Sequence, residues 1–186
     1  MKTITLALAG LLFAAPLASA ALADTLTIQL KDGPVVIDLA KDVAPKHVAQ
    51  IEALAEKGAY DNVVFHRVID GFMAQTGDVK FGNASKGYDP QLAGTGGSDL
   101  PDLPAEFSQV PFERGTVGMA RSQDPNSANS QFFIMFAPGD FLNGQYTVVG
   151  KVKSGMELVD KIKRGEGQNG EVSDPDRMIK VTVEKN

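Results

Sequence analysis

The sequence predicts a mainly β protein: a closed eight-stranded antiparallel barrel capped by two α-helices. Three observations carry this. About eight short stretches alternate apolar and polar residues with period two, or are rich in Val, Ile and Phe, between turn-forming residues. Only two segments show helical spacing. No strand–helix–strand alternation and no internal repeat suggests a parallel sheet, and closure removes the exposed edges such short strands would leave.

The elements follow in order. Thr25-Leu26-Thr27-Ile28-Gln29-Leu30 alternates strictly, turns at Lys31-Asp32-Gly33-Pro34 and resumes as Val35 to Leu39, which reads as an opening hairpin. From His47 to Lys57, Val48, Ile51, Leu54 and Ala55 recur at helical spacing, with Pro45 ahead and Gly58 behind. Val63–Val68 and Phe72–Gly77 are expected strands joined by Asp70-Gly71, a dipeptide suited to tight turns. Lys80–Pro104, rich in Gly, Ser, Asp and Pro, reads as one long surface loop. Strands return at Gly115–Ala120, Gln131–Met135 and Tyr146–Val152, a second helix fits Met156–Lys163, and Met178–Val183 closes the chain as a strand.

Before these elements, Lys2 is followed by an apolar run from Ile4 to Leu17 and by small residues. The run is shorter than the ~20 residues of a spanning helix, so residues 1–23 are expected to be a secretory signal, cleaved after Ala20 or Ala23. The mature chain, 24–186, is then one domain with no membrane span. The full chain carries a net charge of -5; removing 1–23 deletes Lys2 alone among charged residues, leaving 17 basic and 23 acidic residues, a net -6. An acidic chain without a basic cluster does not suit nucleic acid, whose binding draws on neutralised phosphates, or anionic lipid. With no cysteine, thiol catalysis, thiolate metal sites and disulfides are excluded. That composition suits an oxidising periplasm, and nothing indicates an interface beyond a monomer.

The chemistry-bearing segments are Phe65 to Asp78 and Ser130 to Ile134. Strand geometry sends Gln131 and Phe133 to one face and Phe132 and Ile134 to the other, so one face can be a site and the other core. Met73 and Gln75 share a face, as do Phe65 and Arg67, with His66 expected inward as a hydrogen-bonded core histidine. An arginine among Phe and Met side chains is costly to dehydrate unless its donors are accepted. A structural ion pair and a donor aimed at a ligand amide both answer that need. His47, near a helix start, is expected on the surface. Two histidines and no Gly-x-Ser-x-Gly elbow argue against a serine hydrolase. Gly94-Thr95-Gly96-Gly97 lacks a P-loop lysine and reads as a turn that admits a peptide backbone. Asp99, Asp102, Asp174 and Asp176 match no calcium loop.

Phe65-His66-Arg67, Gly71-Phe72-Met73-Ala74-Gln75-Thr76-Gly77-Asp78, Gly94-Thr95-Gly96-Gly97, Gly118-Met119-Ala120, Asn129-Ser130-Gln131-Phe132-Phe133-Ile134 and Phe141-Leu142-Asn143-Gly144 resemble, in order and spacing, the cyclophilin-type peptidyl-prolyl cis-trans isomerases. The resemblance spans essentially the whole mature chain. It implies a proline site on the outer barrel wall, no cofactor or metal, and proline-containing, partly folded polypeptides as partners. By position, Arg67 matches the catalytic arginine, and Phe72, Met73, Phe133 and Leu142 the proline-pocket walls. Gln75, Gly94, Ala120, Arg121, Ser122 and Gln131 match positions holding the peptide on either side. Three residues depart from the pattern. Phe141 stands at a frequent tryptophan, which implies weak cyclosporin binding. Tyr146 stands at a frequent histidine, and Arg121 at an asparagine whose backbone makes the contact.

Rotation about a prolyl amide faces a barrier of ~18 to 20 kcal/mol, and a millionfold acceleration removes about 8 kcal/mol of it. One charge-assisted hydrogen bond from Arg67 to the prolyl nitrogen supplies ~1.5 to 3 kcal/mol. The remainder must come from an apolar pocket fitted to the twisted imide and from fixed donors such as Gln75. The alternative to an isomerase is a proline-peptide binding module or holdase with incidental catalysis, which has no need of Arg67.

Overall fold

The computed structural model describes residues 23–186; the expected signal segment and its cleavage sites lie outside or at the start of this range. The elements are β1 (Thr25–Leu30), β2 (Gly33–Leu39), α1 (Pro45–Glu56), β3 (Arg67–Ile69), β4 (Met73–Thr76), β5 (Thr116–Met119), β6 (Phe132–Met135), a 3₁₀ turn at Asp140–Leu142, β7 (Val148–Ser154), α2 (Met156–Val159) and β8 (Lys180–Glu184). No described helix is long and apolar enough to cross a membrane.

All eight strands form one antiparallel sheet in the order β3-β4-β6-β5-β7-β2-β1-β8. The expected closed barrel is therefore corrected to an open sheet, because no ladder joins β3 to β8. Where those edges approach, the pairing is piecemeal: Val64 bridges Arg177 and Arg67 bridges Glu171 as isolated pairs. The physical reason is the irregular segment 165–178, which breaks strand periodicity. It still satisfies edge groups one at a time, as in Val68 N–H to Gly170 O (2.7 Å), Phe65 N–H to Asp176 O (2.8 Å) and Met178 N–H to Val63 O (2.9 Å).

Strand alternation along β6 divides the interior in two. Phe132 and Ile134 enter the main core with Ile28, Ile37, Val48 and Phe65. Phe133 and Met135 enter a smaller cluster with Met73, Phe112, Leu142 and Val148 on the opposite face. Helix α1 begins with Pro45, whose missing N–H costs nothing in a first turn, and buries Val48, Ile51, Leu54 and Ala55 on the core. The second helix is shorter than expected. After Val159 the bonds tighten to Lys161 N–H on Leu158 O and Ile162 N–H on Val159 O, and Lys163 N–H turns to the Asp176 carboxylate at 2.8 Å.

The segment 80–104 contains no helix or regular strand, as expected of a loop, yet it is anchored by Asn129, just ahead of β6. Asn129 accepts from Ser98 N–H and Oγ–H (2.7 Å each) and donates to Leu100 O and Asp102 Oδ1 (2.9 Å each).

Candidate functional site

One row of the sheet builds the centre of the site. Arg67 on β3 stands opposite Gln75 on β4, Gln75 opposite Phe133 on β6, and Phe133 opposite Gly118 on β5. Adjacent residues in such a row are within side-chain reach. Gly118 makes room in it: a Cβ there would lie 2.5 Å from the Phe112 ring and 2.6 Å from the Phe133 ring. Phe112 and Phe133 stack at 5.7 Å between ring centroids, and Tyr146 meets Phe133 edge-on at 5.9 Å.

The row borders a depression of about 280 Å³ whose apolar walls include Phe72, Met73, Phe133, Phe141, Leu142 and Tyr146, with Arg67, Gln75, Ala120 and Arg121 at its edges. A neighbouring depression of about 240 Å³ is bordered by Gly94, Ser122 and Gln131, and again by Gln75, Ala120 and Arg121. The structure thus brings every expected site residue into two adjoining hollows. Phe141 is the most exposed wall, 65% accessible, and leans on Phe72 at 5.5 Å.

A chain of hydrogen bonds fixes the polar side. The buried Asp78 carboxylate accepts four backbone N–H groups, from Lys80 (3.1 Å) and Phe81 (2.9 Å) on one oxygen and from Gly94 (2.8 Å) and Gly96 (2.9 Å) on the other. A side chain at Gly96 would collide with that carboxylate at 2.5 Å, so the loop must be glycine there. The carbonyls of Gly94 and Gly96 accept from Gln131 Nε2 (2.9 and 2.7 Å), Gln131 Oε1 accepts from Gln75 Nε2 (3.0 Å), and Gln75 Oε1 accepts from Arg67 Nη1 (3.2 Å). Arg67 Nε–H ends the chain on Asn169 O at 2.9 Å.

Neither of these Arg67 acceptors is a carboxylate. Among the described residues the arginines held in ion pairs are Arg114 and Arg164, so the structural ion pair drops out as the reason for Arg67. Burial draws its pKa down while nearby Tyr146 pushes it up, and an arginine remains charged under either influence. Two of its five N–H donors are engaged by described residues, which leaves donors for a ligand.

Three expectations of orientation change. Phe65 lies in the main core and does not share a face with Arg67, because regular alternation begins only at β3. His66 accordingly borders the same outer surface as Arg67. It is buried at 6% exposure, but neither ring nitrogen has a hydrogen bond, and burial, only partly offset by Asp78, lowers its pKa to about 4. His47 is fully buried, with Nδ1 2.7 Å from Glu106 Oε2.

Sequence reasoning did not single out Asp78, Phe112 or Asn169. Asp78 stands at the end of the motif Gly71–Asp78, and nothing in its sequence neighbourhood points to the Gly94–Gly97 turn it holds. Phe112 and Asn169 lie in irregular segments and carry no periodic signal. Among the described residues no cluster of three or more His, Asp or Glu side chains could hold a metal ion.

A family model described as cyclophilin type peptidyl-prolyl cis-trans isomerase/CLD matches residues 25–183. A probable peptidyl-prolyl cis-trans isomerase of Brucella suis is 68% identical over 162 residues, 87% of this chain and 83% of the relative. A peptidyl-prolyl cis-trans isomerase of Dictyostelium discoideum is 37% identical over 86% of this chain and 97% of its own. Among solved structures, a Cryptosporidium parvum cyclophilin crystallised in the presence of the dipeptide Ala-Pro superposes with a TM-score of 0.73 at 27% identity, covering 87% of this chain and 99% of that one. On sequence, fold and site geometry together, this chain belongs to the cyclophilin-type peptidyl-prolyl cis-trans isomerases.

Proposed function

We propose that this isomerase accelerates rotation about X-Pro bonds in exported, folding polypeptides, with Arg67 as the donor that stabilises the twisted imide. The observation that carries the reading is a guanidinium held by Asn169 O and Gln75 Oε1, without a carboxylate partner, at the edge of an apolar hollow of about 280 Å³. In the ground state the prolyl nitrogen shares its lone pair with the carbonyl and accepts poorly. As the bond twists, that pair localises, and a charged donor gains only then, which is the condition for catalysis. The Arg67 hydrogen bond contributes ~1.5 to 3 kcal/mol. The rest falls to Phe72, Met73, Phe133 and Leu142, which hold the ring, and to the remaining N–H of Gln75, which is oriented by Gln131.

No proton is transferred and no cofactor is required. Export to the periplasm is supported by the apolar run Ile4–Leu17 followed by small residues. The Ala-Pro dipeptide of the Cryptosporidium relative supports proline-containing chains as ligands. Cyclosporin should bind weakly, since Phe141 offers no indole N–H. The test is exchange spectroscopy on a short Ala-Pro peptide. Catalytic amounts of enzyme should broaden and merge the cis and trans signals, whereas binding without accelerated exchange would make the chain a proline-peptide binding module instead.

A further inference from the structure

Gln75 borders three hollows in succession, and their charges are arranged in opposite senses. The two described above are lined by no acidic side chain, although the protein as a whole is acidic. Arg121 belongs to both. Its guanidinium lies 4.4 Å above the Tyr146 ring centre and donates to the carbonyls of Ser122 (2.8 Å), Gln123 (3.3 Å) and Gln145 (3.0 Å). These contacts fix its position, and among the described residues no carboxylate lies within ion-pair distance of it.

The third hollow, about 660 Å³, opens on the other side of Arg67 and carries Glu166 and Glu171. Their backbones pair, Glu166 N–H to Glu171 O at 2.9 Å, which brings the two residues side by side. Neither carboxylate meets a cation within ion-pair distance among the described residues, whereas Asp24, Asp61, Asp160 and Asp176 all do. His66, which borders the same hollow, adds no compensating charge: its unbonded ring is kept neutral by burial. Fixed charges of opposite sign on either side of Arg67 set up a field to which a charged peptide responds according to its orientation.

We infer that the groove selects prolyl segments by charge, taking an acidic side chain on the Arg121 side of the proline and a basic side chain on the Glu166 and Glu171 side. This deepens the isomerase reading and rests on it. Three short blocked Ala-Pro peptides test it: Glu before and Lys after the proline, the reverse order, and Gln at both positions. One of the two charged orders should be isomerised with a kcat/KM roughly fivefold above the other at low salt, the scale of two exposed ion pairs acting together. The ratio should approach one near 1 M salt, where the screening length is about 3 Å.

Arg121→Gln should reduce the ratio severalfold through KM, while Arg121→Lys, which keeps the charge, should retain most of it. The double variant Glu166→Gln, Glu171→Gln should also reduce the ratio. Equal rates for both charged orders at low salt, with normal turnover of the neutral peptide, overturn the charge selection and leave the isomerase reading standing. No acceleration of any of the three overturns both. A ratio unchanged in Arg121→Gln removes Arg121 from the assignment.

Discussion

Replacing Arg67 with alanine separates the catalytic claim from the fold. Among the described residues the side chain makes two hydrogen bonds, to Asn169 O and to Gln75 Oε1, and no ion pair. Asn169 lies in an exposed segment where water can take over its carbonyl, so the loss of stability should be about 1 kcal/mol, the net worth of an ordinary hydrogen bond. For a domain of this size that lowers Tm by about 2 to 4 °C. The effect on rate is larger. A charge-assisted donor of ~1.5 to 3 kcal/mol corresponds to about 10- to 150-fold in rate. Gln75 also loses the partner that orients its carbonyl oxygen, and with it the alignment of its own remaining N–H. Together these set the expectation at about 10²-fold or more, as for removal of one transition-state donor. The assay is exchange spectroscopy on an Ala-Pro peptide, with Tm followed in parallel and Arg67→Lys as a companion. Lysine keeps the charge, but its three donors sit on one nitrogen and do not reproduce the planar fork that reaches Asn169, Gln75 and a ligand from separate nitrogens, so it should also fall well below the wild type. Activity within threefold of wild type in a folded Arg67→Ala protein would refute the mechanism.

Isomerase activity should be nearly flat from about pH 6 to 9, since His66 is held near 4 and Arg67 keeps its charge; a bell-shaped profile would count against it. Stability should behave differently. With His66 at about 4 in the fold and near 6.5 when unfolded, the unfolded chain binds more protons between those values. The contribution is therefore complete above pH 6.5 and is lost as pH falls toward 4, by about 3 kcal/mol. Glu52, whose carboxyl burial pushes up, acts in the opposite sense, so urea unfolding of wild type against His66→Gln is the measurement, and identical pH slopes would exclude His66. Asp78→Asn turns an amide N–H₂ toward backbone donors that now share a carboxylate, costing about 1 to 3 kcal/mol. Because the Gly94 and Gly96 carbonyls hold Gln131, peptide KM should rise as well; an unchanged Tm and KM would show that the loop does not depend on Asp78. Phe141→Trp adds an indole N–H to the exposed wall and should strengthen cyclosporin inhibition about tenfold, the worth of one hydrogen bond. Equal inhibition of both proteins would show that residue 141 does not set cyclosporin affinity.

Much of this was legible because it is local. Period-two alternation in Thr25–Leu30 and in Phe132–Met135 reports which side chains share a face, and the structure keeps those faces. The Asp70-Gly71 turn, with Gly71 at φ +69°, registers Ile69 against Met73. Residues 65–69 were misread at one point because the regular strand begins only at Arg67. Alternation extrapolated back to Phe65 therefore put Phe65 and His66 on the wrong sides. Both histidines illustrate a second limit. His47, expected on the surface, is buried under the distant Glu106, and His66, expected buried in the apolar run Val63–Ile69, is buried but lies against the Gly94 loop without the hydrogen bonds expected of it.

The sequence by itself determined most of the strands, the amphipathic helix and the alternating faces of β6, because side-chain direction in a strand follows from position along it, while the candidate site residues came from resemblance by position. Tertiary structure decided what pairing over long distances decides. It placed β4 beside β6, closed the β3 edge by isolated bridges instead of a ladder, and ran Asp78, Gln131, Gln75 and Arg67 into one hydrogen-bond chain. It also removed the ion pair from the two alternatives that the residue types left open at Arg67. Whether a half-buried guanidinium meets a carboxylate depends on which remote segment folds over it, and here that segment brings the carbonyl of Asn169.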